Sequence, residues 1–264
     1  MTVDCSVGIV TFNSERTIEN TIKALLQHWP DELSGQIVVV DNGSTDHTLD
    51  LVTVLTRQDP RLPLPLIHSE AGNCGYRGGH NQAIQHLDSR IHLIMNPDIT
   101  ILNSDSIRAL VHRLDNEPAT GLVMPKIVDP AGETQYLARR DLTVLDLLLR
   151  YLPGRWFARR EGYHAMRDQD YDQPFQIEFA SGCLMAMRTA DFRAMGGFDP
   201  RYFLYAEDVD LSRTVRQQGF VIWYDPAAVV EHAWERGSYR SLRMFWIHFR
   251  SLWQYFRKWG FRLL

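Results

Sequence analysis

The sequence has few cysteines, no long hydrophobic run and no acidic residue over its last 29 positions. The three cysteines, Cys5, Cys74 and Cys183, are too few and too far apart for a disulfide framework or a zinc site, so we expect a reducing compartment. No stretch reaches the roughly 18 apolar residues that a transmembrane helix needs. The first residues also lack the basic and apolar parts of a signal peptide, so we expect any membrane attachment to be peripheral.

The missing acids leave a strong charge asymmetry. Residues 236–264 contain seven Lys or Arg and no Asp or Glu, whereas the whole chain has a net charge of −4. The other 235 residues therefore carry −11, and this acidic surface disfavours nucleic acid as a partner. A chain of 264 residues is long enough for one large domain, and its basic end predicts an appendage with a separate role.

The first half of the chain alternates short β-branched runs with amphipathic segments. The predicted strands are 6–12, 36–40, 64–68, 92–95 and 122–125, and the predicted helices are 17–27, 48–55, 79–87 and 104–114. This alternation predicts an α/β fold with a parallel sheet and helices on both faces. Residues 135–175 fit either a helical excursion or a loop. Beyond them we predict order at 177–187, a helix at 207–217 and a strand at 227–230.

Polar residues gather at the carboxyl ends of the predicted strands, where parallel sheets bind ligands. Thr11 and Asn13 lie at the end of the first strand, Asp41 follows the second, and Asn96 and Asp98 follow the strand at 92–95. A carboxylate in such a place can accept a hydrogen bond from a pyrimidine N–H or bind a hard divalent cation. Turn formation explains the Asn-Gly after Asp41 and the Asn-Pro before Asp98 equally well.

Three further segments contain residues suited to catalysis or binding. The glycine-rich segment 72–81 opens a helix whose N-terminus would attract a diphosphate; the alternative is a flexible loop. Glu207 and Asp208 begin another helix, where acids complement the helix dipole but where a carboxylate pair also suits a general base. His232 follows a short strand, and a lone histidine is more often structural than a metal ligand.

The order of the motifs is more informative than any one of them. They are Val-Gly-Ile-Val-Thr-Phe-Asn (7–13), Val-Val-Asp-Asn-Gly-Ser-Thr-Asp (39–46), the glycine stretch 72–82, Asn-Pro-Asp (96–98), Ser-Gly-Cys (181–183), Gly-Gly-Phe-Asp (196–199), Tyr-Ala-Glu-Asp-Val-Asp-Leu (205–211) and Glu-His (231–232). This series resembles the family 2 inverting glycosyltransferases of the GT-A fold, and within them the bacterial rhamnosyltransferases of O-antigen and cell-wall assembly. The resemblance covers about residues 5–240 and is specific for the family, much less so for the sugar.

The resemblance implies donor-binding roles for five residues. Thr11, Asn13 and Asp41 would hold the nucleoside, with Asp41 on the base. Gly75 and Asn81 would lie along the donor. The donor implied is a nucleotide sugar.

The resemblance also implies a metal site and a base. Asp98 would bind the Mg²⁺ or Mn²⁺ that bridges the donor phosphates, and His232 would complete that site. Asp208 would deprotonate the acceptor hydroxyl, with Glu207 orienting donor or acceptor. The family's Asp-X-Asp is Asn-Pro-Asp here, so Asn96 adds no charge and would hydrogen-bond the ribose or a metal-bound water, which predicts weaker metal affinity.

The implied reaction transfers L-rhamnose from dTDP-β-L-rhamnose to a GlcNAc-diphosphate-polyprenol, with inversion, at the cytoplasmic side of the inner membrane. Residues 1–235 would form the catalytic domain, with a donor half at about 1–125 and an acceptor half at about 126–235. A UDP-hexose donor is one alternative, and a non-catalytic nucleotide-sugar-binding or scaffold protein is another. A nucleotidyltransferase is disfavoured because the glycine segment contains only one Lys or Arg, which is Arg77.

The basic tail, residues 236–264, contains nine aromatic residues among its seven basic ones. Phe245, Phe249, Trp253 and Phe256 recur at helical spacing and predict an aromatic stripe. Basic residues with Trp and Phe are typical of a helix that lies in the headgroup region of an anionic membrane. The alternatives are a helix packed on the domain or a dimer contact.

Overall fold

The computed structural model describes residues 2–56, 65–69, 72–146, 158–233 and 242–261, which form a mixed sheet with helices packed against it. The strands are β1 (Val3–Thr11), β2 (Gly35–Asp41), β3 (Leu66–His68), β4 (Ser89–Met95), β5 (Ile99–Ile101), β6 (Thr120–Val128), β7 (Phe175–Ile177), β8 (Leu184–Arg188) and β9 (Val221–His232). The helices are α1 (Ile18–Gln27), α2 (Thr48–Leu55), α3 (Gly75–Ala83), α4 (Ser104–Asn116), α5 (Ala158–His164), α6 (Thr189–Ala194), α7 (Glu207–Gln217) and α8 (Leu242–Trp259). This arrangement confirms the predicted α/β class.

The sheet has the strand order β3-β2-β1-β4-β8-β6-β9-β5, with β7 also paired to β9. Strands β3, β2, β1 and β4 are parallel, as the alternation of strands and helices predicts. The sheet as a whole is mixed, because β8 runs antiparallel between β4 and β6. The chain enters β8 at the edge where β4 ends, since Met95 pairs with Leu184, and so it has to run back across the sheet.

Strand β9 is much longer than the predicted strand at 227–230. Its first part pairs with β7 and its last part with β5, both antiparallel, while β6 runs parallel to it on the other side. The register to β6 shifts after Pro125, where Asp225 is opposite that residue but Val229 is opposite Lys126. This bulge contains Pro226 and interrupts the alternation that would reveal a strand, which explains why the sequence pattern is short.

Helix α3 begins at Gly75, one turn before the predicted start at 79, so the glycine segment is largely helical. A Cβ on Gly79 would lie 2.6 Å from both Val10 methyl carbons, and one on Gly78 would lie 2.7 Å from the Cys74 Sγ. These glycines therefore allow α3 to pack closely on β1 and its own N-terminal turn. The close packing fixes the position of α3 beneath the candidate site.

Helix α8 packs on the body of the protein through a second small core. Tyr202, Ala206 and Val209 form this core with Tyr255 and Phe256 of α8. Within the described parts of the chain, no helix has the length and apolar character needed to cross a membrane. The described part of the basic tail is therefore joined to the body of the protein by buried contacts.

Candidate active site

The sheet topology brings the candidate residues to one edge. Strands β1, β2, β4, β6 and β9 run in the same direction, so all five end at this edge. Strands β5 and β8 run the opposite way and begin there, directly after Asp98 and Cys183. The edge therefore combines the carboxyl ends of β1 and β2 with Asp98, Cys183 and His232.

Asp41 is buried at this edge and fully hydrogen-bonded. One carboxylate oxygen accepts hydrogen bonds from the Thr11 hydroxyl at 3.0 Å and the Ser44 hydroxyl at 2.5 Å. The other accepts from the backbone N–H groups of Gly43 and Ser44, both at 2.9 Å. Asp41 is only 1% exposed, so in this state it holds the loop after β2. Contact between Asp41 and a base stays a prediction.

Asn13 joins the loop after β1 to the same loop after β2. Its backbone N–H donates to the Ser44 hydroxyl at 2.9 Å, and its side-chain oxygen accepts from the Thr45 N–H at 2.8 Å. Asn13 has a positive φ of 53°, a conformation that asparagine tolerates better than most residues. Its side chain is exposed beside Thr11, where a nucleoside would be expected to bind.

Gly75 and Asn81 connect α3 to segments that precede the acidic helix α7. Gly75 has a φ of +77°, and a Cβ there would lie 1.9 Å from the backbone oxygen of Phe203. The Asn81 amide both donates to and accepts from the backbone of Phe198, at 2.8 Å in each case. Both residues therefore hold the segment before α7 against α3, and direct contact with a donor stays a prediction.

Asp98 and His232 lie side by side because Ile99, the first residue of β5, is opposite His232 in the sheet. The Asp98 Oδ2 lies 3.3 Å from the His232 Nε2. The second carboxylate oxygen, Oδ1, is buried and has no hydrogen-bond partner in the described structure. Asn96, two residues earlier, donates its backbone N–H to the Cys183 oxygen at 2.9 Å, which fixes the start of β8 beside the Asn-Pro-Asp turn.

This pair of side chains fits a divalent cation. The carboxylate of Asp98 offers a buried unpaired oxygen, which is the ligand type that Mg²⁺ and Mn²⁺ prefer. The imidazole of His232 offers a nitrogen beside it, which is a ligand type that favours a transition metal such as Mn²⁺. The described residues contain no cluster of three His, Cys, Asp or Glu side chains arranged for a metal. A cation held here would therefore need further oxygen ligands, such as those of a diphosphate.

Glu207 and Asp208 begin α7 directly after a strained turn. Tyr205 and Ala206 have φ values of 69° and 66°, a left-handed conformation that costs about 1–3 kcal/mol for each residue other than glycine. Packing holds this conformation in place, since Ala206 is buried in the small core that it forms with α8. Such conformations are concentrated at functional sites, where they fix the direction of a side chain.

The two acids have different surroundings. Asp208 accepts the Gly182 N–H at 3.1 Å and the Val209 N–H at 2.8 Å, and these bonds favour its ionised form although burial raises its pKa. Burial and the neighbouring Asp208 raise the pKa of Glu207 well above its usual range, and the Glu207 Oε2 has no hydrogen-bond partner in the described structure. The pair thus favours an ionised Asp208 beside a protonated Glu207.

Tyr76 and Gln135 are site residues that sequence reasoning missed. The Tyr76 hydroxyl donates to the Gly182 oxygen, and the N–H of Gly182 in turn donates to Asp208. Gln135 bonds both the backbone and the ring of His232. The only available signal for Tyr76 was its place in the glycine segment, while Gln135 lies in a stretch without any recognisable pattern.

Asp210, the third acid of α7, does not face this site. Its carboxylate accepts hydrogen bonds from the Tyr202 hydroxyl at 2.9 Å, the Trp259 indole N–H at 2.7 Å and the Lys258 ammonium at 2.8 Å. The last two residues belong to the end of α8. Asp210 therefore attaches α8 to α7.

The opposite face of α8 is exposed and aromatic. Its large exposed apolar residues, together with Phe261 just beyond the helix, are Leu242, Phe245, Trp246, Phe249, Trp253 and Phe261. Phe256, which the spacing placed in the same stripe, is only 4% exposed and packs inward. By the 3.6-residue repeat Phe256 lies on the same side of the helix as Phe245 and Phe249, but the stripe is not exposed along its whole length. Phe256 is buried because it lies in the C-terminal part of α8, which packs on the second core. Residues 236–241 and 262–264 of the tail lie outside the described residues.

Several known proteins are similar to this chain over most of its length. The family model described as Glycosyl transferase family 2 matches residues 6–196. The chain is 28% identical over 210 residues to an N-acetylglucosaminyl-diphospho-decaprenol L-rhamnosyltransferase of Mycobacterium tuberculosis, covering 74% of this chain and 66% of the relative. It is 24% identical over 229 residues to the O-antigen chain rhamnosyltransferase RfbN of Salmonella typhimurium, covering 85% and 65%. The chain thus spans about two thirds of the length of these curated relatives.

A solved structure shows the same fold. The mannosyltransferase PcManGT from Pyrobaculum calidifontis, in complex with GDP-Man and Mn²⁺, superposes with a TM-score of 0.68 at 19% identity. The match covers 97% of this chain and 65% of PcManGT. The predicted GT-A fold is thereby confirmed.

Proposed function

Because this chain belongs to glycosyltransferase family 2, we propose that it transfers L-rhamnose from dTDP-β-L-rhamnose to a GlcNAc-diphosphate-polyprenol, with inversion at the anomeric carbon. The relatives named as rhamnosyltransferases, one of them acting on a GlcNAc-diphospho-polyprenol, support this donor and acceptor. The observation that carries the mechanism is a half-buried Asp208 that directly follows a strained turn, at the same sheet edge as Asp98 and His232.

Asp208 is the proposed base. As the acceptor oxygen attacks the anomeric carbon, the Asp208 carboxylate takes the hydroxyl proton. The bond between the anomeric carbon and the diphosphate oxygen breaks, and its electron pair leaves with the nucleoside diphosphate. One displacement inverts the anomeric centre. The two backbone N–H groups on Asp208 hold the carboxylate in one orientation before the acceptor arrives.

Protonated Glu207 complements this role. A neutral carboxyl group beside Asp208 adds no second negative charge and keeps a proton that it can donate to a sugar hydroxyl. The Glu207 Oε2, which has no partner in the described structure, would make this hydrogen bond. Glu207 would therefore orient donor or acceptor while Asp208 carries the proton transfer.

Asp98 and His232 would hold a Mg²⁺ or Mn²⁺ ion together with the donor diphosphate. When bound, the cation supplies Lewis-acid neutralisation of the charge that develops on the leaving group. The Asn96 amide would hydrogen-bond the ribose or a metal-bound water, and the backbone bond of Asn96 to Cys183 supports this role because it fixes the residue near Asp98. Thr11, Asn13 and Asp41 would shape the nucleoside site at the ends of β1 and β2.

The proposal includes peripheral attachment to the cytoplasmic side of the inner membrane through α8. The exposed aromatic face of α8 lies opposite its packed face, and the basic residues of the tail suit an anionic surface. A polyprenol-linked acceptor would be presented at that surface. This arrangement supports a role in O-antigen or lipopolysaccharide assembly.

A transfer assay tests the donor, the acceptor and the metal together. Purified protein is incubated with dTDP-rhamnose or a panel of UDP-hexoses and a GlcNAc-diphosphate-lipid, with and without EDTA. We expect a deoxyhexose mass gain only with dTDP-rhamnose, its loss with EDTA, and an α-anomeric product by NMR. Transfer from a UDP-hexose would overturn the donor assignment, and retention of the β-configuration would overturn the single displacement.

A further inference from the structure

Gln135 occupies a defined place beside the proposed metal site. Strand β6 ends at Val128, the chain turns tightly through Gly132, and Gln135 then runs back with its backbone N–H bonded to the Ile127 oxygen at 2.8 Å. Ile127 is opposite Val230 in β9. The turn thus brings the Gln135 side chain next to His232, two residues further along β9.

The Gln135 amide holds His232 at two points. Its Nε2 donates to the His232 backbone oxygen at 3.0 Å, and its Oε1 lies 3.1 Å from the His232 Nδ1. A backbone carbonyl only accepts hydrogen bonds, so the NH₂ group has to face it. The amide orientation is therefore fixed by the network, and the oxygen has to face the imidazole ring.

The fixed oxygen determines the tautomer of the ring. Because the Gln135 Oε1 is an acceptor, the His232 Nδ1 has to carry a proton to bond it. In a neutral imidazole the Nε2 then has a free lone pair, and this nitrogen faces the Asp98 Oδ2 at 3.3 Å. Two acceptor atoms then face each other, which is the arrangement that a cation between or beside them stabilises.

We propose that Gln135 is a positioning residue that holds His232 ready to bind the metal, an inference that rests on the proposed function. Without Gln135, the neutral ring is free to place its proton on Nε2 and donate it to Asp98. That hydrogen bond would occupy both groups and close the site. Gln135 thus keeps the ligand nitrogen of His232 and the Asp98 carboxylate available together.

The test uses two variants of Gln135 and one matched control. Gln135→Leu removes both hydrogen bonds at similar size, whereas Gln135→Glu keeps an acceptor for the Nδ1 proton and loses the donor. Gln36 is the control, because its amide also makes two backbone bonds, to His86 and Asp88, at the far end of β2. Gln36→Leu therefore removes two comparable hydrogen bonds at a position away from the site.

Mn²⁺ binding is measured by electron paramagnetic resonance in the presence of dTDP, without any transfer reaction. We expect Gln135→Leu to bind Mn²⁺ about 10- to 100-fold more weakly than the unchanged protein. Gln135→Glu and Gln36→Leu should keep tight binding. Equal affinity in Gln135→Leu would overturn the inference. Absence of Mn²⁺ binding by the unchanged protein would instead refute the metal part of the proposed function, and this inference with it.

A second readout needs no metal. Long-range ¹H–¹⁵N spectra of the metal-free protein, recorded above the ordinary titration range of histidine, identify the tautomer of His232, with His232→Asn used for assignment. We expect a proton on Nδ1 in the unchanged protein and on Nε2 in Gln135→Leu. A proton on Nε2 in the unchanged protein would overturn the inference, whether or not the variant folds.

Discussion

Two groups of polar side chains lie along the same sheet edge and differ in how far they are satisfied. Each carboxylate oxygen of Asp41 accepts two hydrogen bonds, which come from Thr11, Gly43 and Ser44. Around Asp98 and Glu207, one buried oxygen of each residue has no partner in the described structure. An unpaired buried polar atom costs about 1–3 kcal/mol. We therefore expect these oxygens of Asp98 and Glu207 to gain a partner when a ligand binds.

The same contrast recurs within one helix. Asp208 and Asp210 are separated by two positions at the start of α7, but Asp210 is paired with Lys258, Trp259 and Tyr202. Asp208 accepts hydrogen bonds from two backbone N–H groups, and burial raises its pKa. Pairing with a lysine and two aromatic side chains thus indicates a structural role for Asp210, whereas the hydrogen bonds from backbone N–H groups leave Asp208 suited to accept a proton.

The largest expected effect comes from Asp208→Asn. An amide of the same shape cannot accept the acceptor proton, so we expect kcat to fall about 10²- to 10⁴-fold. Binding of dTDP and Mn²⁺ should be retained, because Asp208 is not among the proposed ligands. Steady-state transfer assays and calorimetric titration measure the two properties separately. A transfer rate close to normal would disprove the assignment of the base.

The next largest effect is expected on membrane binding, which we assign to the exposed aromatic residues of α8. Replacing the exposed Trp246 and Trp253 by Ser should weaken binding to anionic vesicles roughly 10- to 100-fold, because about half of each ring is in water and free to enter the membrane. Tyr163→Ser removes an equally exposed aromatic ring outside α8 and serves as control. Co-sedimentation with vesicles is the measurement. Unchanged sedimentation of the double variant would contradict the membrane proposal.

Asp210→Asn should act on stability. The substitution removes a buried charge that Lys258 and Trp259 contact, so we expect the free energy of unfolding to fall by about 1–3 kcal/mol in urea. The matched control is Asp50→Asn, whose side chain is 83% exposed and whose loss should change stability very little. Equal stability of the two variants would show that Asp210 does not anchor α8.

Glu207→Gln should have a smaller effect that depends on pH. The folded protein raises the pKa of Glu207 above that of the unfolded chain, so wild-type stability declines as pH rises above the usual range of glutamate. Glutamine has no charge to bury. We therefore expect the variant to gain stability relative to the wild type from acid to neutral pH, measured by urea unfolding across that range. A constant difference at all pH values would indicate an ordinary pKa.

The first half of the fold could be predicted because its strands are local runs of β-branched residues. Strands β1, β2 and β4 were placed within a few residues. The antiparallel β8 and the long β9 could not be placed, since their partners are distant in sequence and a bulge hides the pattern of β9. Periodicity reports which face is buried, and it does not report which strand lies beside it.

The candidate site was predictable only as a set of residue types at strand and helix ends. The motifs pointed to Asp98, Glu207 and Asp208, but nothing in the sequence signals the left-handed turn at Tyr205 and Ala206. The contact between Gln135 and His232 depends on a turn and a sheet register that form together. Such relations belong to the folded chain and not to any single segment.

The most direct test compares Asp98→Asn with Asp41→Asn in the same two measurements, Mn²⁺ binding in the presence of dTDP and the free energy of unfolding. If the unsatisfied group is the ligand site, Asp98→Asn loses Mn²⁺ binding without loss of stability. At a dTDP concentration that saturates each variant, Asp41→Asn then keeps Mn²⁺ binding and is destabilised by about 1–3 kcal/mol, because its loop loses a charged acceptor. Normal Mn²⁺ affinity in Asp98→Asn, with a stability loss like that of Asp41→Asn, would contradict the account.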